Sequence, residues 1–96
     1  MKKQNRQHPD DRQSQFKRLA RIRGQIDGIG RMIEEDRHRV DILIQLRAVH
    51  AALRKVEEQV LREHAEQCVA RTLKSPDGAQ SILDELFDTL GRFGGR

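Results

Sequence analysis

Two residues that can bind a metal ion lie four positions apart in the second half of the chain, His64 and Cys68. On an α-helix this spacing places both side chains on one face, one turn apart. An imidazole nitrogen and a thiolate suit Cu, Zn, Ni or Co, but two ligands make only half of a tetrahedral site. The other ligands must come from elsewhere, including another subunit. The alternative is that Cys68 continues an apolar stripe as a small core residue.

The sequence carries no residue pattern typical of an enzyme. It has no glycine-rich phosphate loop, no Ser/His/Asp set and no paired carboxylates that would line a pocket. A chain of 96 residues also buries too little surface to enclose a catalytic cavity. We therefore expect a binding protein and not an enzyme.

Three helices are predicted to carry these side chains, because apolar residues recur at steps of three and four and never alternate as in a strand. In the first helix they are Phe16, Leu19, Ile22, Ile26, Ile29 and Ile33. In the second they are Leu43, Leu46, Val49, Leu53, Val56 and Val60, and the stripe continues to His64 and Cys68. In a short third helix they are Ile82, Leu83, Leu86, Phe87 and Leu90.

Residues that typically end a helix occur at one of the two connections between helices but not at the other. Pro76 and Gly78 predict a turn around residues 74–78. The polar patch over residues 34–39 contains neither Gly nor Pro, so it does not by itself establish a break. Gly24, Gly28 and Gly30 fall inside the first helix, where each costs about 1 kcal/mol relative to Ala. They indicate either the close approach of another helix or a locally weaker segment.

The domain organisation is simple. Residues 1–11 predict a flexible basic arm, and residues 12–96 predict a single helical domain. One cysteine cannot form an intrachain disulfide, which fits a reducing cytoplasm. No apolar run approaches the roughly 18 residues of a membrane span. The basic N-terminus lacks the apolar core of a signal peptide, so we expect a cytoplasmic protein without a membrane partner.

The charge of the chain is compatible with a nucleic-acid partner, since 19 Lys and Arg against 15 Asp and Glu give a net charge of +4. Basic residues cluster on the first two helices, namely Lys17, Arg18, Arg21, Arg47 and Arg54. If these helices pack antiparallel, the residues form one surface for phosphate contacts. The alternative is an ordinary solvated face. No helix-turn-helix spacing is visible. The regular apolar stripes also predict an oligomer, because one small chain cannot bury them all.

Four segments of the chain resemble the CsoR/RcnR/FrmR family of repressors. RLARIRGQIDGIGRMIEED, residues 18–36, is similar to the family's first helix. DILIQLRAVHAAL, residues 41–53, and VLREHAEQCV, residues 60–69, are similar to its second helix. LDELFDTL, residues 83–90, is similar to its short third helix. The order and spacing of the segments agree over nearly the whole chain beyond the arm.

The resemblance implies an all-α, three-helix protomer that forms an antiparallel four-helix-bundle dimer, with two dimers paired into a tetramer. It also implies operator DNA as a partner, and release from DNA when an effector binds between protomers. Effectors in the family are Cu(I), Ni(II), Co(II), formaldehyde and reactive sulfur species. A single cysteine excludes an intrachain dithiol, which argues against sulfur sensing.

By the same resemblance, His64 and Cys68 match two of the family's ligand positions. The third, usually a cysteine contributed by the partner protomer, is Arg39 here, and a guanidinium cannot bind a metal ion. His38 is the adjacent residue and His8 lies close to a ligand position that some members have in the arm. Glu85 aligns with an acidic residue that takes part in coupling the ligands to DNA binding.

Three functions therefore stay open. The first is a repressor released by a transition metal ion, with the five basic residues contacting DNA. The second is a repressor of the same fold that has lost metal sensing through Arg39 and responds to another signal. The third is a helical oligomeric scaffold with no role on DNA.

Overall fold

The computed structural model describes residues 9–93, with side chains from residue 12 onward. Three α-helices follow one another, α1 (Pro9–Glu34), α2 (Arg39–Lys74) and α3 (Ala79–Phe93). A short 3-10 turn, Pro76–Gly78, lies between α2 and α3. No strand occurs within residues 9–93. The prediction of an all-α protomer with one long, one longer and one short helix is confirmed.

The first helix begins earlier than the sequence pattern suggested. Residues 9–11, which were predicted to belong to the arm, form the first turn of α1. Proline is favoured at the first helical position, because its missing N–H would have no partner there in any case. Residues 1–8, including His8, lie outside the described residues, so the arm stays a prediction.

The break between α1 and α2 is made by an aspartate in the left-handed conformation. Asp36 has φ 57°. The Arg37 amide donates to the Met32 carbonyl at 2.9 Å, and the Asp36 amide donates to the Ile33 carbonyl at 3.1 Å. This is the Schellman pattern that satisfies the last carbonyls of a helix, with Asp36 at the position that glycine usually occupies. The predicted polar patch is therefore a true helix end, although no Gly or Pro marks it.

Contacts within the chain divide it into two compact units, whose boundary falls inside α2 after residue 57. In the first unit, Ile22 and Ile29 of α1 pack with Val49 and Val56 of α2 as a buried cluster. Each pair is separated by seven residues, two helical turns, so each helix contributes one narrow line of contacts. Because only four residues connect the helices, they run antiparallel, as the basic-surface hypothesis required.

Most of the predicted stripe is not buried within the chain. Phe16 is 66% exposed and Ile33 is 61% exposed, although both lie on the apolar stripe of α1. Leu43 and Leu53 of α2 are likewise exposed. Apolar surface of this extent marks an interaction site. These exposed side chains support the expectation of an oligomer, since nothing within one chain buries them.

The second unit contains the end of α2, the 3-10 turn and α3. Leu86 of α3 and Cys68 of α2 are buried. The Thr72 hydroxyl donates to the Cys68 carbonyl at 2.9 Å, and Arg71 forms an ion pair with Glu85 at 3.8 Å. The turn predicted at residues 74–78 is confirmed, with Pro76 opening the 3-10 segment.

Within residues 9–93, no helix combines the length and the hydropathy that a membrane span requires.

The left-handed residue provides a test of the connection. Asp36→Gly is expected to raise the free energy of unfolding by up to about 1 kcal/mol, because glycine adopts this conformation without a steric cost. Urea unfolding measured by circular dichroism checks this. Glu35→Gly is the matched control and should lower stability, since the positive φ belongs to Asp36 and not to its neighbour. Equal losses in both variants would contradict the assignment.

Candidate functional site

His64 and Cys68 come together on α2, as their spacing predicts. The Cys68 Sγ lies 3.7 Å from the His64 Nε2. Cys68 is fully buried at 0% exposure, whereas His64 is partly exposed. A metal ion bound at His64 Nε2 would therefore also lie close to the buried thiol.

This separation fits two ligands of one ion. Metal bonds of about 2.0–2.1 Å to nitrogen and 2.3 Å to sulfur place the two ligand atoms about 3.5–3.8 Å apart at tetrahedral or trigonal angles. The observed 3.7 Å falls within this range. No group of three His, Cys, Asp or Glu side chains among the described residues could hold a metal ion. The separation of His64 and Cys68 thus fits two ligands of one ion, and among the described residues no third His, Cys, Asp or Glu side chain of the same chain is assembled with them.

His38 is engaged in a different task, which the sequence reasoning missed. The Val40 amide donates to the His38 Nδ1 at 3.0 Å. The His38 carbonyl accepts hydrogen bonds from the amides of Asp41 at 3.0 Å and Ile42 at 3.2 Å. His38 is therefore the N-cap of α2, a position at which Ser, Thr, Asp and Asn are the recognised signals.

Capping and metal ligation compete for the same imidazole. When Nδ1 accepts a hydrogen bond, the neutral ring carries its proton on Nε2. Nε2 then has no lone pair for a metal ion, and Nδ1 is already occupied by the Val40 amide. His38 can become a ligand only by giving up the cap.

The basic residues divide into two kinds. Lys17, Arg21, Arg47 and Arg54 are exposed, the first two on α1 and the other two on α2. Arg18 is half-buried, and its Nε is buried without a hydrogen-bond partner. A buried guanidinium N–H that lacks a partner is costly. Because it is half-buried, Arg18 presents less of its side chain to solvent than the other four.

A groove runs along the first half of α2, and the sequence reasoning did not find it. It has a volume of about 650 Å³ and is lined by Leu43, Leu46, Arg47, His50, Ala51 and Arg54. These residues recur at helical spacing and so share one face. Two arginines assigned to DNA therefore flank an apolar floor. The signal was present in the sequence, but Leu43 and Leu46 were assigned to the core stripe.

Comparison with known proteins identifies the family. The model of the family described as metal-sensitive transcriptional repressor matches residues 11–92. The chain belongs to this family. Because its members are repressors, the expectation that the chain is not an enzyme is confirmed, and the repressor hypothesis is favoured over a scaffold.

Several characterised repressors are similar to the chain. A copper-sensing transcriptional repressor CsoR of Bacillus subtilis is 50% identical over 76 residues, which is 79% of this chain and 74% of that protein. A copper-sensing repressor RicR of Mycobacterium tuberculosis is 44% identical over 77 residues, 79% of this chain and 80% of that one.

Two solved structures of such repressors share the fold. The copper-sensing repressor CsoR with Cu(I) from Geobacillus thermodenitrificans matches with a TM-score of 0.76 and 40% identity, covering 94% of this chain and 93% of that one. The nickel-responsive transcriptional regulator InrS matches with a TM-score of 0.76 and 36% identity, covering 84% and 90%.

Arg39 and Glu85, which the family resemblance associates with the metal site, have different surroundings: the first has an exposed side chain, and the second forms an ion pair. Arg39 is the first residue of α2 and is exposed. Its permanently protonated guanidinium does not fit a metal-ligand position. Glu85 pairs with Arg71, and its carbonyl accepts from the Thr89 hydroxyl at 3.0 Å. Its proposed role in coupling stays a prediction.

The capping role of His38 can be tested without metal. His38→Ala is expected to lower the free energy of unfolding by about 1 kcal/mol, because α2 loses a side-chain acceptor at its first turn. His38→Asn should retain most of the stability, since asparagine is a good N-cap. Lys55→Ala, an exposed site on the same helix, serves as the control. Equal destabilisation by Ala and Asn would disprove the cap.

Proposed function

We propose that this protein is a cytoplasmic repressor that binds operator DNA, and that its operator affinity falls when a transition metal ion binds at His64 and Cys68. The observation that carries the proposal is the 3.7 Å approach of Cys68 Sγ to His64 Nε2 in a chain of the metal-sensitive repressor family. An allosteric coupling of this kind changes affinity about 5- to 150-fold.

The ligand chemistry supports Cu(I) first among Cu, Ni, Co and Zn. A thiolate is a soft ligand that favours Cu(I), Zn and similar ions. The relatives at 50% and 44% identity are copper-sensing repressors, whereas InrS, at 36% identity, is nickel-responsive. When bound, the ion would supply positive charge and bonds that join two turns of α2.

The chain's own residues must prepare for that ligand. Cys68 has to lose its thiol proton, and His64 has to present an unprotonated Nε2, so its remaining proton must lie on Nδ1. Binding therefore releases protons, and metal affinity falls as the pH falls. Cys68 is buried, so its sulfur is shielded from water, and the partly exposed His64 lies 3.7 Å from it.

We infer that the working form is a homo-oligomer, an antiparallel four-helix-bundle dimer that pairs into a tetramer. The support is the apolar surface left exposed on both long helices, including Ile26, Ile33, Leu43 and Leu53. In an oligomer the third ligand position of each site can be contributed by another subunit, as the family resemblance implies. His38 and His8 are the remaining candidates within the chain.

Arg39 supports a second candidate function, a repressor of the same fold that does not sense metal. A guanidinium at the third ligand position adds a positive charge that opposes a cation nearby. In that case another signal would release the DNA. The two candidates differ in whether metal binds His64 and Cys68 at all.

DNA binding is assigned to Lys17, Arg21, Arg47 and Arg54, with Arg18 as a weaker candidate. The first four are exposed, and the antiparallel packing of α1 and α2 allows both helices to contribute to one surface. Such contacts neutralise phosphates and release counterions, so binding must weaken steeply with salt. They fix the position of the protein on the duplex and do not read its sequence.

Metal titration separates the two candidate functions. Reduced wild-type protein is expected to bind Cu(I) more than about 100-fold more tightly than Cys68→Ala or His64→Ala, since loss of an outer partner alone costs 10–100-fold. Competition with a chelator of known affinity measures this, and the titration is repeated with Ni, Co and Zn. His50→Ala is the control for the loss of an imidazole. If the wild type binds no metal better than the variants, the metal-released repressor is wrong and the second candidate stands.

The DNA surface is tested by the salt dependence of binding. Arg21→Ala and Lys17→Ala should each weaken operator binding and lower the slope of log affinity against log salt by about 0.9 per lost phosphate contact. Lys74→Ala removes an equal charge from the last turn of α2 and should leave the slope unchanged. Gel shifts at several salt concentrations measure it. Wild-type protein that binds no DNA at low salt would favour the scaffold instead.

A further inference from the structure

Three exposed cations lie along one face of α1, namely Lys17, Arg21 and Arg31. Lys17 and Arg21 are four residues apart, and Arg31 follows on the same face about 15 Å further along the helix axis. Among the described residues, no salt bridge includes any of the three. Arg31 was not among the residues assigned to DNA above. The face therefore carries positive charges that the chain itself does not neutralise.

The nearest acidic side chains leave these cations unpaired. Glu35 follows Arg31 by one turn, and its carboxylate is paired with Arg37 at 3.5 Å. Asp27 precedes Arg31 by four residues, but within the described part of the chain no salt bridge includes it. The excess of positive charge on this face is thus available to an outside partner.

Between the cations the helix surface has no side chains, because Gly24 and Gly28 lie there, one turn apart. Among the described residues, no side chain lies within 4 Å of the point that a Gly24 Cβ would occupy. At Gly28 the one atom within that distance is the Arg31 Nη2, at 3.7 Å. The Arg31 guanidinium is therefore folded back over this glycine gap, as helix side chains lean toward the N-terminus.

The gap faces away from the apolar surfaces of α1. Successive residues of an α-helix are about 100° apart, so Gly24 lies about 200° from Ile22 and from Ile26. Ile22 belongs to the cluster packed against α2, and Ile26 belongs to the exposed apolar surface that supports the oligomer. Of the two interpretations of the glycines, the close approach of another apolar helix therefore has no support on this face.

We propose that the sugar–phosphate backbone of duplex DNA crosses α1 at the glycine gap, with phosphates bound by Arg21 on one side and by Arg31 on the other. The inference rests on the proposed DNA binding. It adds Arg31 and the two glycines to the contact surface and fixes where the backbone crosses. Charge complementarity selects the ligand, since phosphates are regularly spaced anions that exposed Arg and Lys neutralise.

The glycines allow the DNA backbone to approach the helix closely. A side chain at Gly24 or Gly28 would hold the sugar–phosphate chain away from the helix and lengthen the hydrogen bonds from Arg21 and Arg31, which weaken steeply with distance. Glycine in a helix interior lowers stability relative to alanine. Because no side chain of α2 or α3 fills the gap, a close contact with a ligand accounts for this loss of stability.

Filling the gap should separate stability from DNA binding. Gly28→Gln is expected to raise the melting temperature by about 4 °C or more. It should weaken the binding of a fluorescently labelled duplex of mixed sequence about tenfold, because charge-assisted contacts on both sides are lengthened. Gly91→Gln fills an equally open position in α3 and should raise the melting temperature without changing DNA affinity. Circular dichroism and fluorescence anisotropy of reduced, metal-free protein measure the two effects.

The contribution of Arg31 is measured with the same duplex at several salt concentrations. Arg31→Gln should lower the slope of log affinity against log salt by about 0.9, the value for one phosphate contact. Lys74→Gln removes an equal charge from the last turn of α2 and should leave the slope unchanged. An unchanged slope in Arg31→Gln would overturn the proposal.

The glycine variants can also refute the crossing. Gly28→Gln that binds the duplex as tightly as wild type contradicts it, whereas DNA binding by wild type and its response to metal, the proposed function, would stand. Wild type that binds no duplex at low salt overturns both. If Gly28→Gln melts below wild type, Gly24→Ala decides, since one methyl group has open space in the fold. Unchanged DNA affinity in that variant then overturns the proposal.

Discussion

The chain carries more apolar surface on its helices than one copy can bury. The described hydrophobic core amounts to Ile22, Ile29, Val49, Val56, Cys68 and Leu86. A domain of this size gains little stability from so small a core. The remaining apolar residues of the stripe can gain stability only by burial against another chain. The proposed assembly, and the proposed contribution of a second subunit to the metal site, both follow from this shortage.

The candidate ligand pair is placed by helix geometry alone. His64 and Cys68 need only a continuous α2 to meet, since residues four apart lie over one another. One helix face rarely supplies more than two ligands to one ion, because the next residue on that face lies a further turn away and out of reach of the ion. Sensing a metal ion with such a helix therefore requires a contribution from outside it. Arg39 is where this protein departs from the ligand set that its family resemblance implies.

The connection between α1 and α2 contains residues that set the helix ends and also residues considered as metal ligands. Asp36 ends α1 in the left-handed conformation, and His38 begins α2 as its N-cap. Arg39 follows directly, so its position is set by these two residues. A histidine that serves as a cap cannot also be a ligand through either nitrogen. The chain thus uses for structure the side chain that seemed best able to replace the missing ligand.

The sequence by itself determined the three helices, the close approach of His64 and Cys68, and the family. These depend on periodicity and on short spacings, which are local properties of the chain. It did not determine the helix end at Asp36 or the cap at His38, because both residues are atypical for those positions and are revealed only by backbone conformation and hydrogen bonds. Nor did it separate half-buried Arg18 from exposed Arg21, or show that Leu43 and Leu46 form an open groove. Burial depends on which residues meet across helices, and only the tertiary structure decides that.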